Sequence, residues 1–202
     1  MVAAIGEDVN AEGYEAIIRL TRKLNAMYST PREVQVATVA ILSSLLPSWL
    51  PALHKILIAG LVPSLACKLN ALATWYTCQW LMGPSKINGV ETDKGEVEEG
   101  HGVYVERCRY LEEAGCVSVC VNSCKVPTQE FFATKMGLTV TLTPNYENYS
   151  CQFSFGKTPS PPDADLAFQS PCFSHCPSRL RAGIIPKEVE SVTGGAERCH
   201  RV

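Results

Sequence analysis

A chain of 202 residues is long enough to bury a hydrophobic core, and its net charge of −2 gives no electrostatic reason to expect a nucleic-acid partner. Hydrophobic residues make up 46% of the chain and charged residues 19%, which excludes a disordered chain outside its ends. The unusual feature of the composition is its ten cysteines.

The N-terminal region, residues 1–85, is predicted to be helical and apolar. Residues 11–28 repeat apolar side chains at helical spacing, which favours an amphipathic helix. A second helix is predicted to begin directly afterwards, because Thr30 suits the cap position, Pro31 the first helical position and Glu33 the third.

The stretch that follows is almost free of charge. Between Val34 and Ser85 the only charged residues are Lys55 and Lys68, and three prolines divide the stretch into short helices. Buried core helices are the simpler interpretation, and a surface or groove that meets lipid is the alternative. A membrane span is disfavoured because prolines interrupt the longest uncharged run. We expect a helical hairpin that forms an apolar pocket and associates peripherally with a membrane.

The rest of the chain is predicted to be a loop followed by a small sheet. Residues 86–102 are acidic and glycine-rich, which is typical of a solvated loop and a boundary. Apolar residues alternate in residues 103–111, 138–143 and 149–155, which predicts strands. The sequence thus favours an α+β protein in which a helical, apolar N-terminal half packs with a small antiparallel sheet.

Cysteine spacing is the main functional signal. Cys116, Cys120 and Cys124 repeat every fourth residue, so their thiols share one face whether the segment is a helix or a strand. Thiolates are soft ligands that suit iron, iron–sulfur clusters, zinc and copper. We therefore predict a cysteine-held metal centre in preference to simple burial. Disulfides come third, because no secretory leader is recognisable and thiols one turn apart are poorly placed to bridge.

Motifs of other enzyme classes are missing from the sequence. It contains no glycine-rich phosphate loop, no GxSxG and no HExxH.

Several stretches resemble the plant DWARF27 family of β-carotene isomerases, over about residues 13–178. The stretches that carry the resemblance are Trp80-Leu-Met-Gly-Pro84, Cys108-Arg-Tyr-Leu-Glu-Glu-Ala-Gly-Cys116, Cys120-Val-Asn-Ser-Cys-Lys-Val-Pro-Thr-Gln-Glu-Phe-Phe132 and Pro144-Asn-Tyr-Glu-Asn-Tyr-Ser-Cys151. The resemblance implies one domain formed by residues 11–85 with the cysteine-rich region 103–178. Residues 179–202 are expected to be a disordered tail.

The resemblance also implies a function. Members of this family are plastid proteins that contain iron and interconvert all-trans and 9-cis β-carotene at the entry to strigolactone biosynthesis. The implied cofactor is iron, either mononuclear or in an iron–sulfur cluster. The implied iron ligands are Cys116, Cys120, Cys124, Cys151, Cys172, Cys176 and, as a further candidate, Cys108.

The resemblance implies partners and a location as well. It implies a carotenoid substrate and downstream carotenoid cleavage enzymes as partners, and the acid-free stretch 34–85 adds the surface of a plastid membrane. A plastid transit peptide is not recognisable at the start of the sequence. The acidic segment 86–102 is longer than expected of the founding members, which suggests a paralogue and leaves its preferred double bond open. Two other functions stay open: a non-catalytic carotenoid carrier and an iron–sulfur electron-transfer protein.

Overall fold

The computed structural model describes residues 1–170 together with Phe173 and Cys176. In this part of the chain, helices form the first half, and a four-stranded antiparallel sheet with further helices forms the second. The predicted α+β class is therefore confirmed. The tail 179–202 and Cys172 lie outside the described residues.

The helices that precede the sheet follow the predicted order. They are α1 Val2–Ile5, α2 Gly13–Met27, α3 Pro31–Ser44, α4 Trp49–His54 and α5 Pro63–Met82, and a π-helical segment, Lys55–Ala59, extends α4. Thr30 caps α3 as predicted. Its hydroxyl accepts a hydrogen bond from the Glu33 amide at 3.3 Å, and the Glu33 carboxylate accepts one from the Thr30 amide at 2.9 Å.

The sheet contains strands from two distant parts of the chain. They are β1 Ser85–Glu91, β2 Val97–Val105, β3 Val140–Pro144 and β4 Cys151–Phe155, in the order β1-β2-β4-β3 with every neighbouring pair antiparallel. Val103, Val105, Phe153 and Phe155 are buried on the two central strands. Helix α5 packs across β1, β2 and β4, so the core lies between this helix and the sheet.

The predicted loop at 86–102 was wrong, because most of this segment is the β1–β2 hairpin. The hairpin turns at residues 92–95, where the Gly95 amide donates to the Thr92 carbonyl at 3.0 Å and Gly95 has a φ of 78°. Near this turn the side chains of Glu91, Glu96 and Glu99 are exposed, so their charges carry little desolvation cost. The many acidic residues therefore hid the alternation of apolar side chains by which a strand is predicted, and the segment looked like a loop.

The predicted strand at 103–111 was right only for its first residues. Strand β2 ends at Val105, and the next element is α6, Arg109–Ala114. A glycine in the left-handed conformation, Gly115 with a φ of 58°, ends this helix. Leu, Glu and Ala are good helix formers, and they determine the structure of 109–114 once the chain leaves the sheet.

The ambiguous cysteine segment is helical. Its elements are α7 Val117–Cys120, a π-helical segment Val121–Lys125, α8 Val126–Phe131 and a second π-helical segment Phe132–Met136. The helix ends at Gly137, which has a φ of 70° as expected of a glycine cap. The first π segment lies just before Pro127. Because proline lacks an amide donor and its ring crowds the preceding turn, the helix widens there.

A buried polar network holds this cysteine helix against the N-terminal helices. The Ser118 hydroxyl donates to Asn25 Oδ1 at 3.2 Å, and Asn122 Nδ2 donates to the Ser118 hydroxyl at 3.2 Å. Gln35 Nε2 donates to Asn122 Oδ1 at 2.9 Å. Because buried polar groups are costly unless paired, these contacts fix the rotation of the helix relative to α2 and α3.

We expected residues 34–82 to enclose an apolar pocket, but their large apolar side chains are mostly on the outside. When only the described residues are considered, the exposed side chains include Leu45, Trp49, Leu53, Ile56, Leu57, Leu61, Val62, Leu65, Leu69, Leu72, Tyr76 and Trp80. We call this set the α4–α5 apolar surface. The inner face of α5 instead carries small residues, with Ala66 and Ala71 completely buried.

In the described part of the chain, each helix taken alone is too short or too polar to cross a membrane. The pair Pro31–Ser44 and Trp49–Ala59, bent by 87°, meets the criteria of length and composition when its two members are taken together.

The capping box at Thr30 gives a direct test of the α3 start. We expect Thr30→Ala to lower the free energy of unfolding by about 1 kcal/mol, because the Glu33 amide loses its acceptor. Thr30→Ser keeps a hydroxyl acceptor and should leave stability unchanged. Urea denaturation followed by circular dichroism measures both variants, and equal losses would show that the hydroxyl does not cap the helix.

Candidate functional site

Four thiols line one internal cavity. Cys108, Cys120, Cys124 and Cys151 contribute to its wall, and the remaining lining is mainly apolar: Met82, Tyr110, Leu111, Lys125, Leu142, Pro144 and Phe153. The cavity has a volume of about 10 Å³, which is the space that one water molecule or one ion needs.

Each thiol reaches the cavity from a different element. Cys108 precedes α6, and its amide donates to the Tyr149 carbonyl at 2.7 Å. Cys120 ends α7, while Cys124 lies one turn further on, in the π-helical segment. Cys151 begins β4, where it pairs with Val105 of β2 and Pro144 of β3. The centre of the site is therefore where the cysteine helix crosses the end of the sheet.

Burial keeps these thiols protonated when no cation is bound. Desolvation, with a smaller contribution from Cys108, raises the pKa of the Cys120 thiol to about 12. Desolvation also raises the pKa of Cys108, and it places those of Cys124 and Cys151 well above their ordinary value, with further contributions from the neighbouring thiols. Each of these four cysteines is a free thiol. A cation in the cavity would favour their thiolates.

A fully buried lysine lies at the edge of the cavity. Lys125 is 1% exposed, and its ammonium group is 2.7 Å from Asp165 Oδ2. The same nitrogen donates to the Leu142 carbonyl and to Gln129 Oε1. The positive charge lowers the pKa of Cys120, Cys124 and Cys151, in opposition to the larger effect of burial.

Aromatic side chains cover the site from the side of the chain's later residues. The Tyr146 hydroxyl hydrogen-bonds with the Cys120 thiol and lies 3.4 Å from the Ala167 carbonyl oxygen. The buried Phe173 ring packs edge-on against Tyr146 with a centroid separation of 5.9 Å. Together these rings and the segment around Ala167 cover Cys120 on this side, whereas Cys124 is partly exposed.

The predicted ligand set divides into two groups. Cys116 does not line the cavity with Cys120 and Cys124, because it precedes the first helical residue and has an extended φ of −150°. Its sulfur instead lies 3.8 Å from that of Cys176, and both residues are buried. Cys172, the remaining predicted ligand, lies outside the described residues.

The donors fit an iron centre in kind. Four thiols face one enclosed, largely apolar cavity with room for an ion, and thiolates are ligands that iron prefers. Within residues 1–170, with Phe173 and Cys176, no group of three or more His, Cys, Asp or Glu side chains has a geometry that holds a metal ion. The described thiols therefore share a cavity without forming a finished coordination sphere, and the metal centre stays a prediction.

Sequence reasoning missed Lys125 and Asp165. The lysine is adjacent to Cys124 in the Cys-Lys-Val-Pro stretch, but a lysine within a helix is ordinarily exposed, so nothing marked it as buried. Asp165 is 40 residues further along the chain, in a segment that reads as a linker. Only the fold brings the two charges together.

The fold and the site define an α+β protein with a cluster of buried thiols beside a buried cation. Comparison with known proteins identifies its family. The family model described as "Beta-carotene isomerase D27-like, C-terminal" matches residues 80–164, which contain all four cavity thiols and Lys125.

Two named relatives match most of the chain. The chloroplastic β-carotene isomerase D27 of Arabidopsis thaliana is 30% identical over 186 residues, which are 90% of this chain and 67% of that protein. Its counterpart from Medicago truncatula is 29% identical over 178 residues, or 88% of this chain and 68% of that protein. The chain therefore belongs to the β-carotene isomerase D27 family. No solved structure matches the chain.

The buried ion pair generates a prediction about stability. Lys125→Met leaves the Asp165 carboxylate, which is 14% exposed, without its counterion. We expect the free energy of unfolding to fall by about 3 kcal/mol, as is usual when one partner of a buried pair is removed.

The double variant Lys125→Met/Asp165→Asn tests how much the two charges stabilise each other. Because neither charge remains, part of the lost stability should return, by about 1 kcal/mol or more. Urea denaturation of the wild type, both single variants and the double variant completes the cycle. Simply additive losses would show that the two charges do not stabilise each other.

Proposed function

We propose that the protein is an iron-dependent cis–trans isomerase of the plastid that interconverts all-trans and 9-cis β-carotene and thereby supplies strigolactone biosynthesis. The observation that carries the proposal is the cavity lined by four thiols, on a chain of the β-carotene isomerase D27 family. Both named relatives are called chloroplastic, which supports the plastid location.

The four cavity cysteines are the residues that would hold the iron. Bound iron would supply a one-electron step that lowers the double-bond order of a polyene and is then reversed, so that the electron is returned. The chain's own contribution is to exclude water through the Tyr146 and Phe173 rings and to place the Lys125 cation beside an anionic set of ligands. The predicted ligands Cys116, Cys172 and Cys176 would form a second group of thiols.

The polyene substrate explains why the site lacks acid–base machinery. A conjugated hydrocarbon offers neither an acyl carbon nor an acidic proton, so an isomerase for it needs no catalytic triad and no pair of carboxylates. The cavity has room for an ion but not for a carotenoid. The substrate must therefore approach from outside, and Met82, which lies in the cavity wall at the end of α5, marks the boundary that is closest to the apolar helices.

The first test of the proposal is metal content. We expect anaerobically purified protein to contain iron. We expect Cys120→Ser to lower the affinity for iron at least ~10-fold, because changes even to groups that only support a ligand commonly lower metal affinity by that factor. Cys67→Ser is a matched control, because Cys67 is also a buried free thiol and lies in the wall of a different cleft.

Elemental analysis and the visible absorption spectrum measure this outcome. Stoichiometric zinc without iron, or equal iron loss in both variants, would contradict the proposed centre. The shape of the charge-transfer bands distinguishes mononuclear iron from a cluster.

The second test is the reaction. Each pure isomer is incubated in the dark with iron-loaded protein, and the products are separated by chromatography. Both reactions should approach the same ratio, with all-trans in excess because the straight polyene is less crowded. The Cys120→Ala/Cys124→Ala variant should convert neither isomer faster than buffer does.

The outcomes separate the competing functions. Binding of carotenoid without conversion would indicate a carrier, whereas reversible reduction of a cluster without conversion would indicate electron transfer. Formation of a different cis isomer would retain the isomerase and change only the preferred bond.

A further inference from the structure

The α4–α5 apolar surface has an arrangement that core packing does not explain. On α5, the side chains of Leu65, Leu69, Leu72, Tyr76 and Trp80 follow one another at intervals of three or four residues, so they form one stripe along the helix. Tyr76 is 78% exposed and Trp80 62%. Soluble monomers rarely expose a continuous apolar patch of this extent.

The charge of the same segment is one-sided. Between Val34 and Ser85 the chain has no aspartate or glutamate, while Lys55 and Lys68 are both exposed. On the β1–β2 hairpin, the pKa of Glu98 is lowered chiefly by its hydrogen bond with Lys94, and the charge of Lys68 contributes last. The apolar surface is thus bordered by lysines and carries no carboxylate of its own.

Aromatic residues occupy the margins of the surface. Trp49 is at the start of α4, and Tyr76 and Trp80 are in the last two turns of α5. All three are exposed, whereas Trp75 is half-buried and its indole nitrogen donates to the Ser85 carbonyl at 3.0 Å. Indole and phenol side chains favour the boundary between lipid headgroups and acyl chains, because each has an apolar ring and a polar atom.

We propose that the α4–α5 apolar surface docks the protein on a lipid bilayer, with the leucines of the α5 stripe in contact with the acyl chains, Tyr76 and Trp80 at the headgroup boundary, and the two lysines near anionic headgroups. Large apolar side chains, flanking cations, marginal aromatics and the lack of acids together match a bilayer interface. This docking stands apart from the proposed isomerase activity, since it depends only on the surface and not on iron or a carotenoid.

Vesicle cosedimentation of the full chain tests the proposal. Wild-type protein should bind vesicles of phosphatidylcholine, and it should bind more tightly when part of the lipid is phosphatidylglycerol, by about fivefold for each lysine that nears the surface. Added salt should reduce only the second effect. Failure to bind either kind of vesicle would overturn the proposal and leave the isomerase question untouched.

A pair of matched double variants locates the contact. Tyr76→Glu/Trp80→Glu should weaken vesicle binding by at least ~10-fold, because two carboxylates would have to enter the interface. The control is Val97→Glu/Leu166→Glu, which adds the same charge at two side chains that are 67% and 76% exposed but lie outside this surface. The control should bind like the wild type, and circular dichroism confirms that both variants fold.

Tryptophan fluorescence gives an independent measurement. In variants that retain a single tryptophan, brominated lipids should quench Trp80 strongly and Trp75 weakly. Equal quenching of both, or equal binding by the two double variants, would overturn the proposal. A different result is that the wild type does not bind vesicles but forms dimers, and that the Tyr76→Glu/Trp80→Glu variant is monomeric. In that case the surface contacts a second copy of the chain and not a membrane.

Discussion

The burial of the Lys125 ammonium group is the constraint on which the arrangement of the site depends. An ammonium has three N–H donors and no acceptor, so once it is removed from water each donor needs an oxygen. Here the oxygens come from Gln129 on the same helix, Leu142 on β3 and Asp165 in the segment that follows the sheet. One cation therefore joins three parts of the chain that are distant in sequence. The Gln129 side chain strengthens the joint, because its oxygen also accepts the Leu142 amide at 2.9 Å.

The same constraint governs the electrostatics of the thiols. Burial raises the pKa of Cys120, Cys124 and Cys151 more than the nearby Lys125 charge lowers it, so the cavity does not favour free thiolates when no cation is bound. Proton loss would then accompany the arrival of a metal cation, as is general for thiolate sites. The hydrogen bond between Tyr146 and Cys120 gives one thiol a fixed orientation in the meantime. The site is thus held in shape by groups that are not ligands.

The sequence predicted those parts of the fold whose signals are local. The Thr30 cap and the β4 strand depend on a few neighbouring residues, and both were confirmed. Prediction failed where the environment overrides the local pattern. The β1–β2 hairpin looked like a loop because its exposed outer half is acidic, and Cys116 looked equivalent to Cys120 although it precedes the helix.

The site shows the same division between local and distant information. Cysteine spacing predicted that Cys120 and Cys124 share one face, and both line the cavity because they are one turn apart on one helix. It did not predict the Lys125–Asp165 pair, because burial of a lysine depends on acceptors supplied by other elements. The exposure of the large side chains on α5 was equally hidden, since hydrophobic spacing is the same whether a stripe faces a core or another apolar phase.

Helix α5 contributes both to the exposed apolar surface and to the wall of the thiol cavity. Its small residues, Ala66 and Ala71, allow close approach to the sheet, while Leu65, Leu69, Leu72, Tyr76 and Trp80 face outward. In water this arrangement forfeits the stabilisation that burying leucine, tyrosine and tryptophan side chains would give, so it is favourable only if another apolar phase covers them. The end of the helix places Met82 in the wall of the thiol cavity, two residues after the exposed Trp80. The exposed stripe of α5 and the lining of the thiol cavity are therefore separated by only two residues along this helix.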